Sequence, residues 1–289
     1  MNLVNKEIKA VNGVKIPQVG FGVYKLTKGE DFQKAVGEAI RIGYRHFDTA
    51  KIYGNEENLG IEIQKSKIPR EEFFIASKVW NTDHGYEATK KAFEQTCKNL
   101  NVEYLDMYLI HFAAPGYIET WIAMEELYLE GKIKVIGVAN FEIQHLEALM
   151  KHSKIQPMIN QIETHPEFPQ NELHDYLIEH QIVHEAWAPL GQGNKALLEN
   201  PELKKIANNH NKTVAQVILR WHLQRGIIII PKSSKPKRIK ENIQLFDFEL
   251  SIEEMEKINQ LNTGKRYSHS PTGYMINPLY NKLMKVFIK

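Results

Sequence analysis

Four side chains carry acid–base potential at telling places: Asp48, Tyr53, Lys78 and His111. RHF precedes Asp48, FFIAS precedes Lys78 and MYLI precedes His111, while Tyr53 follows five residues after Asp48 in DTAKIYGNE. An ammonium beside a tyrosine favours its phenolate and draws the phenol's pKa down from about 10, and a carboxylate holding that ammonium keeps it charged when buried. The expected product is an acidified phenol. Its chemistry would be carbonyl reduction: hydride addition to carbon leaves an alkoxide that needs a proton, and a His N–H beside the same oxygen orients it.

A second constellation spans 231–242, PKSSKPKRIKEN, with five cations and no acid from Lys232 to Lys240. Ser hydroxyls and helix N-terminal N–H groups beside fixed cations make an anion site. The planar guanidinium of Arg238 suits bidentate contact with a phosphate, Lys232 offers a point charge, and Asn242 could read an adenine edge. Polar residues also follow three other apolar runs: Asn140 after KVIGVA, Gln161 after MIN, and Lys232 after IIIIP.

These residues need elements to aim them. Short β-rich runs alternate with amphipathic stretches from about Gly20 to Asn242, the pattern of a parallel sheet with crossover helices. Eight strands are expected: Val19–Gly22, Tyr44–Phe47, Phe73–Ser77, Met107–Ile110, Val135–Val138, Met158–Asn160, Ile182–Ala186 and Ile227–Ile230. Helices are expected at Asp31–Ile42, Tyr86–Leu100 and Thr120–Leu129. No linker or composition shift divides the chain, so the reading is α/β, a single (β/α)8 TIM barrel over 1–289 with its core at 18–250. Chemistry in such a barrel sits at the carboxyl ends of the strands, where six polar residues converge. An N-terminal hairpin over 6–17 turning at Asn12-Gly13 is expected to cover the barrel floor. An extra capped helix is expected at Ser251–Leu261, and 262–289 reads as a flexible C-terminal tail.

Composition narrows the function classes. The 289 residues are 43% hydrophobic and 25% charged with a formal charge of +2, which excludes disordered and fibrous classes and argues against a general nucleic-acid binder. The single cysteine, Cys97, rules out an intrachain disulfide and fits the cytoplasm. The first ten residues lack an apolar h-region, and Ile227–Ile230 is far short of the roughly 20 residues that span a bilayer, so no membrane association is expected. A monomer is expected.

Several motifs are incomplete. Gly20-Phe21-Gly22 begins a dinucleotide fingerprint, but Lys25 replaces its third glycine. His184-Glu185 is followed by Ala188 where a zinc helix needs His, so no metal is expected. His145 and His152 read as helix-surface residues. No P-loop or nucleophile elbow occurs.

On these residues the chain resembles the aldo-keto reductase family over nearly its whole length. Gly43-Tyr44-Arg45-His46-Phe47-Asp48-Thr49-Ala50 with Tyr53-Gly54-Asn55-Glu56, then Leu109-Ile110-His111, Gly137-Val138-Ala139-Asn140-Phe141 and Ile230–Asn242 are similar to the family's signatures. The resemblance implies that Asp48, Tyr53, Lys78 and His111 form a catalytic tetrad with Tyr53 as proton donor. It implies NADPH as cofactor, with Lys232, Ser233 and Arg238 on the 2′-phosphate and Glu241 and Asn242 near adenosine. Asn140 and Gln161 would hold the carboxamide, Trp187 would stack on the nicotinamide, and Gly22, Val23 and Leu190 complete the expected contacts.

The chain also departs from the family. Ala139 stands where many members have Ser, removing a hydroxyl that helps the carboxamide bond. After His111, Phe112-Ala113 replaces the usual Trp-Pro and the loop to Tyr117 is short, which reshapes the substrate wall. Tyr24, Trp80, Phe112 and the tail aromatics Tyr267 and Tyr274 are expected to line an apolar substrate pocket. The resulting expectation is NADPH-dependent reduction of small aldehydes and ketones, with 2-oxoaldehydes favoured. Two other readings stay open: an NADPH-binding redox sensor or regulatory barrel with incidental turnover, and a barrel isomerase gripping a sugar phosphate.

Overall fold

The computed structural model describes residues 6–26, 29–268 and 270–271. Among these residues ten strands run β1 Glu7–Lys9, β2 Lys15–Pro17, β3 Gly20–Gly22, β4 His46–Asp48, β5 Phe74–Val79, β6 Leu105–Ile110, β7 Ile133–Ala139, β8 Ile159–Glu163, β9 Val183–Trp187 and β10 Ile228–Ile229. The helices are α1 Glu30–Ile42, α2 Glu56–Lys65, α3 Tyr86–Leu100, α4 Tyr117–Leu129, α5 Ile143–Met150 and α6 Asn171–Glu179. They continue with α7 Lys195–Leu198, α8 Pro201–Asn209, α9 Val214–Gln224, α10 Pro236–Ile243 and α11 Ile252–Asn259.

Strands β3 to β10 pair in parallel, each with its sequence neighbour. Val19 bridges Ile229 in parallel and the Gly22 N–H reaches the Pro231 carbonyl at 3.3 Å, so the first strand meets the last. The expected (β/α)8 barrel is therefore the observed fold. All six residues of β5 and of β6 are buried, as strands covered on both faces require. Helix α3 shows why the crossovers form: Thr89, Ala92, Phe93, Thr96, Cys97 and Leu100 recur at three and four spacing and are its buried stripe. Asn101, at φ +53°, closes it by donating its N–H to the Lys98 carbonyl.

The hairpin of β1 and β2 turns where expected. Gly13 takes φ +88°, and Asn12 Nδ2 donates to the Lys134 carbonyl at 2.8 Å, fastening the turn beneath β7. Helix α11 carries a capping box between Ser251 and Glu254. Strand ends shift by up to three residues from expectation, and the carboxyl ends at Gly22 and Ile110 fall where expected. Tyr44 lies before β4 and sends its hydroxyl to the Ile239 carbonyl at 3.1 Å.

One surface assignment is overturned. His145 is buried at 4% exposure because its Nδ1 accepts the Glu142 N–H at 3.1 Å, completing a capping box at the start of α5. His152 is exposed, just past the end of that helix. Among the described residues, no helix is long and apolar enough to cross a membrane. Tyr274 and the tail from 272 onward lie outside the described residues.

Candidate active site

Asp48 is the last residue of β4, Lys78 the penultimate residue of β5, and His111 follows β6 directly. Since adjacent parallel strands place their carboxyl ends side by side, the three meet at one mouth. Tyr53 arrives by a different device, a single 3₁₀ turn over Lys51–Tyr53 ended by Gly54 at φ +63°. That loop is tied down by Thr49 Oγ1 donating to Asn55 Oδ1 at 2.8 Å and Asn55 Nδ2 donating to the Val23 carbonyl at 3.0 Å.

The Lys78 side chain is fully buried. Its ammonium donates to Asp48 Oδ1 at 2.7 Å, Asp48 Oδ2 at 2.6 Å and the Thr49 carbonyl at 2.9 Å, which uses all three protons. The same ammonium lies 5.4 Å from the centre of the Tyr53 ring. On the opposite side the His111 ring meets Tyr53 edge-on, with centroids 5.8 Å apart and planes at 81°. Phe112 stacks flat on His111 at 5.1 Å and Trp80 packs edge-on against it at 5.0 Å, fixing the imidazole. Burial, then the Lys78 charge, then His84 hold His111 well below the usual histidine range, so the imidazole is neutral.

The expected acidification of Tyr53 is not what the structure shows. Burial, then the Asp48 charge, then Tyr24 raise the phenol well above its ordinary value of 10. Two physical causes overturn the expectation. Lys78 is already neutralised by a carboxylate bonded through both oxygens, and a buried phenolate loses its hydration. The resting phenol is therefore protonated.

A polar wall completes the mouth. Asn140, just past β7 at φ +61°, donates from Nδ2 to the His111 carbonyl at 3.0 Å and accepts from Trp187 Nε1 at 2.9 Å. Gln161 sits inside β8 rather than after it, and its Nε2 donates to Asp48 Oδ2 at 2.9 Å. Trp187 ends β9, and Leu190 packs against both apolar cores two residues beyond the Ala188 turn at φ +50°.

The basic segment follows β10. Lys232 has its pKa lowered, first by burial and then by the like charge of Lys25 beside it. The two like charges repel, and an anion bound between them would relieve that repulsion. Ser233 is buried and its Oγ accepts the Lys235 N–H at 3.1 Å. Arg238 is an exposed residue in the first turn of α10, Glu241 reaches Lys237 at 3.8 Å, and Asn242 is buried. Gly22 packs against the chain leading into this segment, since a Cβ there would stand 2.9 Å from the Ile230 carbonyl oxygen. Val23 is buried beside it and donates its N–H to the Asp48 carbonyl at 3.1 Å.

Of the pocket aromatics, Tyr24 is 40% exposed with its ring 4.8 Å from Tyr53, and Trp80 lies 6.0 Å from Phe112. Tyr267 is placed elsewhere on the rim, against His165 at 4.8 Å and over Gly191, with its hydroxyl donating to Glu167. Sequence reasoning missed Asn55 and Thr49 as the ties of the Tyr53 loop, and Glu185 as a buried acid of the barrel interior. The alternation of β9 signals only that one of His184 and Glu185 faces inward, and the structure turns His184 outward and Glu185 inward.

Comparison with known proteins agrees with this geometry. Residues 18–263 match the family model described as the aldo/keto reductase family. The chain is 52% identical over 267 residues to glyoxal reductase of Bacillus subtilis (strain 168), covering 91% of this chain and 95% of that protein. It is 41% identical over 267 residues to methylglyoxal reductase DkgA of Escherichia coli (strain K12), covering 91% and 96%. An aldo/keto reductase crystal structure from Brucella melitensis superposes with a TM-score of 0.85 at 48% identity, covering 89% of this chain and 99% of that one. A Bombyx mori aldo-keto reductase in complex with NADP gives 0.86 at 34% identity, covering 91% and 94%.

Proposed function

Because the chain belongs to the aldo/keto reductase family, we propose that it reduces small aldehydes and ketones with NADPH, 2-oxoaldehydes foremost, and that Tyr53 gives the proton. The observation that carries this reading is the arrangement of the buried Lys78–Asp48 pair beneath the Tyr53 ring, with a neutral His111 facing it.

The residues present fit the cofactor. The neighbouring cations Lys25 and Lys232, with Arg238 in the first turn of α10, suit a 2′-phosphate, while Glu241 and Asn242 would meet the adenosine. Gly22, Val23 and Leu190 would lie along the cofactor, and Asn140, Gln161 and Trp187 would meet the nicotinamide end. Bound NADPH would supply a hydride to the carbonyl carbon. The substrate oxygen then becomes an alkoxide, and its proton comes from the Tyr53 hydroxyl. Because the resting phenol is a weak acid, transfer waits until that stronger base has developed, so Tyr53 does not lose its proton to water. As the phenolate forms, Lys78 stabilises it through space while Asp48 and the Thr49 carbonyl keep the ammonium in place. Neutral His111 donates an N–H to the same oxygen.

The names glyoxal reductase and methylglyoxal reductase support the 2-oxoaldehyde preference. Tyr24, Trp80 and Phe112 offer a narrow aromatic wall suited to a compact substrate. The cytoplasm and a monomeric state remain the proposed setting, and a single buried Cys97 is compatible with a reducing compartment. Tyr53→Phe is the test: NADPH should still bind, measured by thermal shift, while methylglyoxal reduction disappears. A Tyr53→Phe protein that reduces methylglyoxal at the wild-type rate would reject the assignment.

A further inference from the structure

Glu185 and His46 are fully buried inside the barrel, and neither has a part in the reaction described above. On β9 the neighbouring His184 faces outward, its Nδ1 2.9 Å from that of His174 on α6, so Glu185 points to the barrel axis. In register it stands beside Gln161 on β8 and Ile228 on β10. Neither carboxyl oxygen meets a hydrogen-bond partner at full bonding distance and angle among the described residues, the nearby Gln161 amide exerting only a weak pull. The nearest ring nitrogen of His46, Nε2, lies 3.7 Å from Glu185 Oε1 and is equally unpartnered.

The tautomer of His46 decides what that contact means. His46 Nδ1 is 3.2 Å from the Pro17 carbonyl, which can only accept, so Nδ1 carries the proton. Burial holds the ring neutral, down to about 4, so Nε2 presents a lone pair to Glu185. An ionised Glu185 would set two acceptors face to face in a site without water's dielectric, whereas a protonated one presents an O–H toward Nε2.

Other charges near Glu185 point the same way. From β4 it faces His46 and Asp48, and from β5 it faces Lys78, whose single positive charge is already bonded to both oxygens of Asp48. From β8 it meets only the uncharged Gln161 amide, since Glu163 lies at the rim with His165, Ser268 and the Tyr267 N–H. Asp106 of β6 pairs with both Lys134 of β7 and Arg70. Burial first, then the Asp48 charge, push Glu185 up to about 8 against the smaller pull of Lys78 and Gln161.

We propose that Glu185 is a positioning residue that works as a protonated acid: while neutral it leaves Lys78 matched by Asp48 alone, and its ionisation at alkaline pH adds a second carboxylate beneath that pair and slows proton transfer from Tyr53. The inference rests on Tyr53 being the proton donor. A second negative charge there acts on the phenol in the same direction as Asp48 and makes it a poorer acid.

The test is the pH profile of kcat for methylglyoxal at saturating NADPH, in wild type and in Glu185→Gln, the uncharged isostere. Wild type should lose at least about threefold in kcat between about pH 7 and about pH 9.5, and E185Q should show no such fall. A fall of equal size and midpoint in both proteins, or none in wild type, overturns the proposal. Infrared difference spectra of the intact wild-type protein across the same pH range give a second readout that does not depend on a variant folding. The band of a protonated carboxyl group should vanish on raising the pH and be missing from E185Q; a wild-type spectrum without that loss also overturns it. If wild type reduces no carbonyl at any pH, the reading of Tyr53 fails instead, and the infrared band still decides whether Glu185 carries a proton.

Discussion

Replacing Asp48 by Asn removes the counter-charge of a lysine that has no access to water. The Lys78 ammonium would keep the Thr49 carbonyl and one amide oxygen in place of two carboxylate oxygens at 2.7 and 2.6 Å. Its side chain is 0% exposed and that of Asp48 is 3% exposed, so solvent cannot screen the loss. Breaking such a buried pair from one side costs about 3–5 kcal/mol. The retained hydrogen bonds place the expected cost near the lower end, about 3 kcal/mol, equivalent to a fall in Tm of roughly 6–12 °C for a chain of this size. The assay is thermal unfolding at neutral pH without cofactor, run for Asp48→Asn, Lys78→Met and the double variant. Lys78→Met leaves Asp48 buried with Gln161 as a remaining side-chain donor and should be comparably unstable. The double variant should lose less than the sum of the two by at least about 1 kcal/mol, because each single change strands the other charge. An Asp48→Asn protein melting within about 2 °C of wild type, or strict additivity, would refute the argument that the pair is electrostatically isolated.

Two further outcomes follow from charges away from the pair. Arg238→Ala should weaken NADPH about 10–100-fold by equilibrium titration and leave NADH nearly unchanged, the loss of one charge-assisted phosphate contact; equal losses would reject a 2′-phosphate grip. Stability should fall as pH drops from about 6.5 toward 4. His46 and His174 are held down to about 4, His222 to about 3 and His184 well below its ordinary value, each chiefly by burial. In that window the unfolded chain binds protons that the folded chain does not, so the stability present above about 6.5 is lost toward the folded values. His222→Gln should flatten the dependence of Tm on pH; an unchanged slope would mean that this ring does not titrate on unfolding.

What could be read from the residues depended on how local each signal was. Strands β5 and β6 are apolar runs that end in Lys78 and His111, so both the elements and their chemistry lay in contiguous sequence. Tyr53 was also legible, because a five-residue offset from a strand end leaves a side chain little choice but the barrel mouth. Its acidity was not. That depends on whether Lys78 spends its charge on Asp48 or on the phenol, a matter of ångströms that spacing does not encode. His145 failed for a related reason: the third residue of a helix reads as surface until Glu142 offers it a backbone N–H. Glu185 lies in His184-Glu185, two adjacent polar residues on β9, and no local signal in the sequence marks which of them faces inward.

A high resting pKa at Tyr53 and a role as acid are compatible, provided that the drive for transfer comes from the substrate oxygen rather than from the phenol. An alkoxide is a stronger base than any group the resting site contains, so a donor need only be neutral, held in place and able to leave a stabilised anion. The site meets those needs with separate parts. Burial keeps the phenol neutral, Gly54 and the Asn55 ties hold the loop, and the ammonium 5.4 Å from the ring centre awaits the phenolate. Asp48 then has two opposing effects, raising the phenol's pKa while preserving the cation that lowers the energy of its conjugate base. Such a balance tolerates one carboxylate near Lys78, and the proposed ionisation of Glu185 at alkaline pH would tip it.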